Sequence, residues 1–192
     1  MGPSAPLFET DLGLFIMTID SLKEGLGDDA KDIRINLSKI LTEDGAPSLS
    51  EKQIFLIALS CGYTLKNEYL LEALKTDSRG IVTDSERLGT QTAATMMAMN
   101  NIYYRFVHLV GGDYTALPAN LRMMSLNNSG LEKIDFELCS LAVSAITGCG
   151  MCMESHTHHL EKAGLSKVSI QSAIRIAAVL HATSQALFNA AQ

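Results

Sequence analysis

The sequence predicts an all-α protein, and three observations carry that expectation. Helix-start and helix-stop residues recur along the chain, apolar residues repeat at three- and four-residue spacing, and strand-like alternation is nearly absent. The clearest periodicity is Leu138, Leu141, Ala142 and Ala145, then Ile170, Ala173, Ile174, Ala177 and Val179-Leu180. Such spacing lines one face of a helix. With 192 residues, 47% hydrophobic and 19% charged, the chain suits a single domain with a sizeable core and is too apolar for disorder.

The elements follow in order. Helices are expected at 10–26 and 29–43, divided at Asp28, and the second stops before Gly45-Ala46-Pro47. A helix at 50–63 opens with Ser48 and Glu51 at capping-box spacing, and one at 65–77 runs on to the break at Gly80. Thr83 and Glu86 repeat that spacing ahead of a long helix at 84–109, which Gly111-Gly112 ends. A short helix is expected at 117–123, before the Asn127-Asn128-Ser129-Gly130 stretch. The last three, at 132–147, 149–163 and 166–190, are separated by Gly148 and Gly164. Met96, Met97 and Met99 read as core or interface filler. Segments 49–62 and 131–145 look loosely alike, which is compatible with two weakly related halves, about 1–112 and 113–192, in one domain.

Charge and termini exclude several functions. The net charge is −6 and the 15 Lys and Arg form no stripe, so there is no electrostatic case for nucleic acid. The N-terminus has no basic region, and Glu9 and Asp11 precede its short apolar stretch, which makes a poor secretory signal. No apolar run approaches membrane-spanning length, and Pro6 occupies the position where a myristoylation site wants Ser or Thr. A soluble, cytoplasmic protein is expected, with cysteines reduced unless function oxidises them.

The chemistry concentrates in a segment at 131–164, in FELCSLAVSAITGCGMCMESH. Gly148 ends one helix and the next begins at or near Cys149. Thiols on a first helical turn sit at the positive end of the macrodipole, which favours the nucleophilic thiolate. The spacing of Cys149 and Cys152 puts both sulfurs on one face, close enough for a small disulfide ring. His156 lies on the same stripe. Glu137 would be about 18 Å from Cys149 along a continuous helix. A reversal at Gly148 instead sets Glu137 and His156 about 16 and 12 Å from the turn on facing helices. The imidazole then comes within reach of the carboxylate, directly or through one water, and the order Glu137, His156, Cys152 is a proton relay. A zinc site from Cys149, Cys152, His156 and one of His158 or His159 is a second reading, weakened because the ligands crowd into one element. Cys61 and Cys139 read as buried small hydrophobes, His158 and His159 as solvated, and His181 as a core or interface histidine.

These residues resemble the AhpD family of alkylhydroperoxidases, within the carboxymuconolactone-decarboxylase-like superfamily. Its pattern is a Glu, eleven residues, then C-x-x-C-x-x-x-H, which Glu137, Cys149, Cys152 and His156 match. Segments 30–41, 97–106, 121–128 and 136–149 extend the likeness along nearly the whole chain. The resemblance implies an AhpD-like helical fold, a homotrimer and an antioxidant thiol–disulfide reductase with alkylhydroperoxidase activity. It implies a Cys149–Cys152 redox disulfide, Cys152 as the sulfenic acid or mixed-disulfide nucleophile, Cys149 as proton donor and resolving thiol, and Glu137 with His156 as relay. It implies no tightly bound cofactor. The partners would be the peroxiredoxin AhpC and dihydrolipoamide on a lipoyl-bearing acyltransferase, recharged by lipoamide dehydrogenase. One departure stands out: Met151 occupies a position where relatives with C-x-H-C carry a histidine. Two alternatives remain, a decarboxylase, for which a vicinal dithiol has no use, and a non-enzymatic zinc module.

Overall fold

A computed structural model describes residues 16–191. Among these residues the secondary structure is helical, without strands: α1 (Ile19–Glu24), α2 (Lys31–Ile40), α3 (Glu51–Leu65), α4 (Glu68–Asp77), α5 (Asp84–Val110), α6 (Lys133–Thr147), α7 (Gly150–Lys162) and α8 (Lys167–Ala190). Short 3₁₀ turns cover Asp28–Ala30, Gly112–Ala116 and Met124–Asn128. The expected all-α class is observed. No helix among the described residues is long and apolar enough to cross a membrane.

The centre of the molecule is built from α3 and α6, which pack against each other and against α5 and α8. Every residue from Ile54 to Gly62 in α3 is buried, as is every residue from Leu138 to Ser144 in α6. A helix apolar all round belongs inside a protein, with other helices as its solvent. The two look-alike segments therefore form the paired central helices. One continuous core includes Leu37 and Ile40 of α2, Leu56 and Leu59 of α3, Leu141 of α6, Leu160 of α7 and Ile176 and Leu180 of α8. Cys61 and Cys139 lie in it as expected, both fully buried, and burial pushes both thiols up, Cys139 to about 12.

Several expectations need correction. Residues 117–123 form no helix: Leu117 precedes Pro118, whose ring disfavours helical backbone at the residue before it, and Asn120 adopts a left-handed φ of 52°. In the expected helix at 10–26, only Ile19–Glu24 is helical among the described residues, capped by Thr18, and positions 10–15 lie outside them. The box at the start of α3 is made by Ser50 with Gln53, because Ser48 sits at a φ of 67° and cannot serve as the extended cap. Thr83 and Glu86 do form the box that opens α5. His181 is exposed on α8, so of the two places expected for it the core is excluded and the interface remains.

Candidate active site

The turn between α6 and α7 is set by Gly148. Its φ of 73° is left-handed, and a Cβ there would meet nothing within 4 Å, so glycine is required for conformation and not for space. The Gly148 N–H donates to the carbonyl of Ala145 (3.2 Å), and the Cys149 N–H to that of Ser144 (3.1 Å). This paired arrangement is a Schellman closure, which satisfies the last carbonyls of α6. It reverses the chain so that α7 runs back along α6.

From α5, three side-chain contacts hold this turn. The Asn101 carboxamide donates to Thr147 Oγ1 (2.7 Å) and accepts from Ser144 Oγ (3.1 Å), and Arg105 donates to the Thr147 carbonyl (2.6 Å). Neither Asn101 nor Arg105 was singled out from sequence. The only available signal was the consecutive Asn100-Asn101 in a Met- and Ala-rich helix, a poor choice of helix former unless both amides are used.

Cys149 is the N-cap of α7, and its Sγ accepts from the Cys152 N–H at 3.3 Å. The two cysteines are joined in a disulfide, with Cα atoms 5.3 Å apart. Both sit at the electropositive end of α7, where a thiolate released from the disulfide is stabilised by the dipole and by first-turn N–H groups. Their surroundings differ. Cys149 is wholly buried, whereas Cys152 is 6% exposed and lines a cavity of about 660 Å³.

His156 also lines that cavity, one turn after Cys152 on α7. Its Nδ1 lies 2.7 Å from Glu137 Oε2, so the reversal at Gly148 brings the expected pair into direct contact without a bridging water. Burial works to raise the Glu137 pKa, but the hydrogen bond and charge of His156, with those of His159, outweigh it and hold the carboxyl below its ordinary range. An ionised carboxylate only accepts, so Nδ1–H is the donor and Nε2 is left free to take a proton. His159 is exposed, as expected, and it also joins the site. Although half exposed, it places Nδ1 3.4 Å from Glu137 Oε1, so one carboxylate is shared by two imidazoles. His158 is exposed, as expected.

The donor set also bears on metals. Glu137, His156 and His159 bring three ligand-type atoms within 4.8 Å of one another. The zinc set of the weaker second reading differs from this, since it draws on Cys149 and Cys152, which are joined in a disulfide. A hydrogen-bonded carboxylate with two imidazole donors accounts for the observed contacts as they stand.

Most of the cavity wall is apolar: Met97, Met123, Leu126, Leu131, Phe136 and Met151 surround the polar end formed by Cys152, His156 and Glu137. Met151 thus contributes surface where the resemblance offers a histidine. Asn100, Tyr104, Ser129, Lys133, Ser155 and His159 are its other polar members. Asn100 is 6% exposed, and among the described residues its carboxamide oxygen has no hydrogen-bond partner, a situation that costs about 1–3 kcal/mol.

Fold and site together define a class, all-helical proteins that carry a vicinal dithiol at a helix start, with an imidazole on the same helix paired to a carboxylate on the facing one. Residues 112–192 match the model of the carboxymuconolactone decarboxylase family. Curated relatives cover far more of the chain. An alkyl hydroperoxide reductase AhpD of Coxiella burnetii (strain RSA 493 / Nine Mile phase I) is 48% identical over 168 residues, 87% of this chain and 95% of the relative. Proteins of the same name from Azorhizobium caulinodans and Brucella abortus (strain 2308) are each 43% identical over 172 residues, 89% of this chain and 93% and 97% of theirs. The chain belongs to the AhpD family.

Proposed function

We propose that this protein is an antioxidant oxidoreductase that reduces hydroperoxides through Cys149 and Cys152. The observation that carries the reading is the Cys149–Cys152 disulfide at the start of α7, with the Glu137–His156 pair on the same cavity. In the reduced protein His156 Nε2 takes the Cys152 proton, and Glu137 holds the resulting imidazolium. The Cys152 thiolate attacks the terminal peroxide oxygen. An S–O bond forms, the O–O bond breaks, and the departing alkoxide takes the proton from His156 and leaves as an alcohol. Cys149 then displaces hydroxide from the sulfenic acid, which leaves as water with the Cys149 proton, and the disulfide closes.

Reduction runs through the same sulfur. Cys152 is the member that faces the cavity, so an incoming thiolate meets it, and Cys149 departs as a thiolate stabilised at the helix start. A second donor thiol then releases Cys152 and closes a disulfide in the donor. Dihydrolipoamide on a lipoyl-bearing acyltransferase, recharged by lipoamide dehydrogenase, is the donor we favour, and oxidised AhpC peroxiredoxin the acceptor whose disulfide the protein reduces. No tightly bound cofactor is needed. A homotrimer in a reducing cytoplasm completes the reading. Decarboxylation, as in the namesake of the matched family, gives the dithiol nothing to do.

The test titrates free thiols before and after a sub-stoichiometric hydroperoxide in wild type and in Cys152→Ser, with bound metal measured on the same samples. Loss of two thiols per chain in wild type, absent from the variant and without metal, supports the reading. Stoichiometric zinc with inert thiols sinks it.

A further inference from the structure

Two consecutive asparagines on α5 are both buried and are treated differently by the fold. Asn101 is 1% exposed and its amide is engaged at both ends, donating to Thr147 and accepting from Ser144. Asn100 is 6% exposed, and among the described residues its carboxamide oxygen has no partner. Two other buried side-chain atoms share that condition, Arg87 Nε and Ser140 Oγ, but neither residue lines the cavity that holds Cys152, and Asn100 does. Asn101 explains itself as structure. Asn100 does not, because an apolar residue of its size would fill the place without an orphaned acceptor.

The geometry points to Asn100 as a substrate-contacting residue that holds the peroxide group of an apolar organic hydroperoxide for attack by Cys152. This rests on the peroxidase reading above. The chemistry of the cavity selects the ligand: six of its fifteen lining residues are Met, Leu or Phe and give an apolar substituent a surface to bury, while Lys133, Tyr104 and Ser155 add polar groups and Cys152 the nucleophilic sulfur. Within that space a hydroperoxide carries one strong donor, its terminal O–H. The Asn100 oxygen has nothing to accept from among the described residues, but it is itself buried, so it meets a ligand in the cavity only after the carboxamide turns. A carboxamide without fixed partners can also turn end for end, so its oxygen can meet the O–H or its NH₂ group the neighbouring oxygen. The S–O bond forms and the O–O bond breaks as set out above, with the alkoxide taking its proton from His156. The sulfenic acid produced on Cys152 still bears an O–H, so Asn100 keeps a partner through the step.

The test uses the full chain, reduced, mixed with cumene hydroperoxide in single turnover while thiol loss is followed. Asn100→Ala should lower the second-order rate constant about tenfold or more, the size of one lost hydrogen bond. It should leave the thermal midpoint unchanged or raised, since an orphaned acceptor is removed, whereas Asn101→Ala should lower it. Reaction with methyl methanethiosulfonate, which the same thiolate attacks but which has no O–H, should keep its wild-type rate. Asn100→Ser, which retains an acceptor, should recover part of the peroxide rate. An unchanged peroxide rate in Asn100→Ala overturns the inference. So does a proportional loss with methyl methanethiosulfonate, which makes Asn100 a modifier of the thiol, and so does a midpoint that falls as far as in Asn101→Ala, which makes it structural. A wild type that keeps both thiols in cumene hydroperoxide overturns the peroxidase reading and this inference with it.

Discussion

Glu137 shows how much one residue depends on its neighbours. Half-buried carboxylates ordinarily resist ionisation, yet here two imidazoles, at 2.7 and 3.4 Å, reverse the outcome. Because the folded state holds this carboxyl below its ordinary pKa, its contribution to stability is complete above the unfolded value, about 4.3, and is lost as pH falls through the lower folded value. Glu137→Gln should therefore flatten the acid limb of a stability profile, read from urea midpoints between about pH 5 and 3. Glu86, held down by Lys52 and Thr83, adds slope of the same sign, and Asp77, pushed up by burial, opposes it. An acid limb identical to wild type would show that the depressed carboxyl is not Glu137. The two thiols should also separate by substitution. Cys149→Ser should accumulate a sulfenic acid or a mixed disulfide on Cys152, visible by mass spectrometry, whereas Cys152→Ser should form neither. A stable adduct on Cys149 in the latter would exchange their assignments.

At the scale of elements, the closure of α6 decides whether the site exists. Gly148→Ala forces a left-handed φ on a residue with a Cβ and should cost about 1 kcal/mol or slightly more. The loss is measurable as a lower denaturant midpoint. The α5 clamp acts on the same turn, and Asn101→Ala leaves Thr147 and Ser144 without their buried partner, for a loss of about 1–3 kcal/mol. If that variant unfolds at the wild-type midpoint, the clamp does not hold the turn. Sequence was a good guide to the long helices, because α3, α5, α6 and α8 have both clear periodicity and marked ends. It was a poor guide where one residue overrules a pattern. Pro118 and the left-handed Asn120 remove the helix expected at 117–123, and the positive φ of Ser48 hands the cap to Ser50.

Across the whole molecule, α3 and α6 carry the core on which the site stands, and Leu141→Ala in α6 should cost about 2–5 kcal/mol. The assembly is tested at this scale too. Ile102, Phe106, Leu109 and Val110 at the end of α5, with Tyr114 and Leu117 beyond it, are large apolar residues left exposed. Clusters of this kind are usually covered by a partner. Light scattering at micromolar concentration should give three times the chain mass, and Leu109→Asp should reduce it. A monomeric wild type would count against the proposed trimer.

The sequence alone determined the helical class, the long elements, and the phase relation that puts Cys149, Cys152 and His156 on one stripe, since these follow from spacing within a single helix. It also brought Glu137 within range once Gly148 was taken as a reversal. Only the tertiary structure decided the rest: that Cys152 lines the cavity while Cys149 is wholly buried, that His159 shares the Glu137 carboxylate, that Asn101 and Arg105 brace the turn, and that the Asn100 oxygen has no partner among the described residues. The physical reason is common to all four. Each depends on what a neighbouring helix presents at contact distance, and a pattern along one chain carries no record of which polar groups across a packed interface find partners.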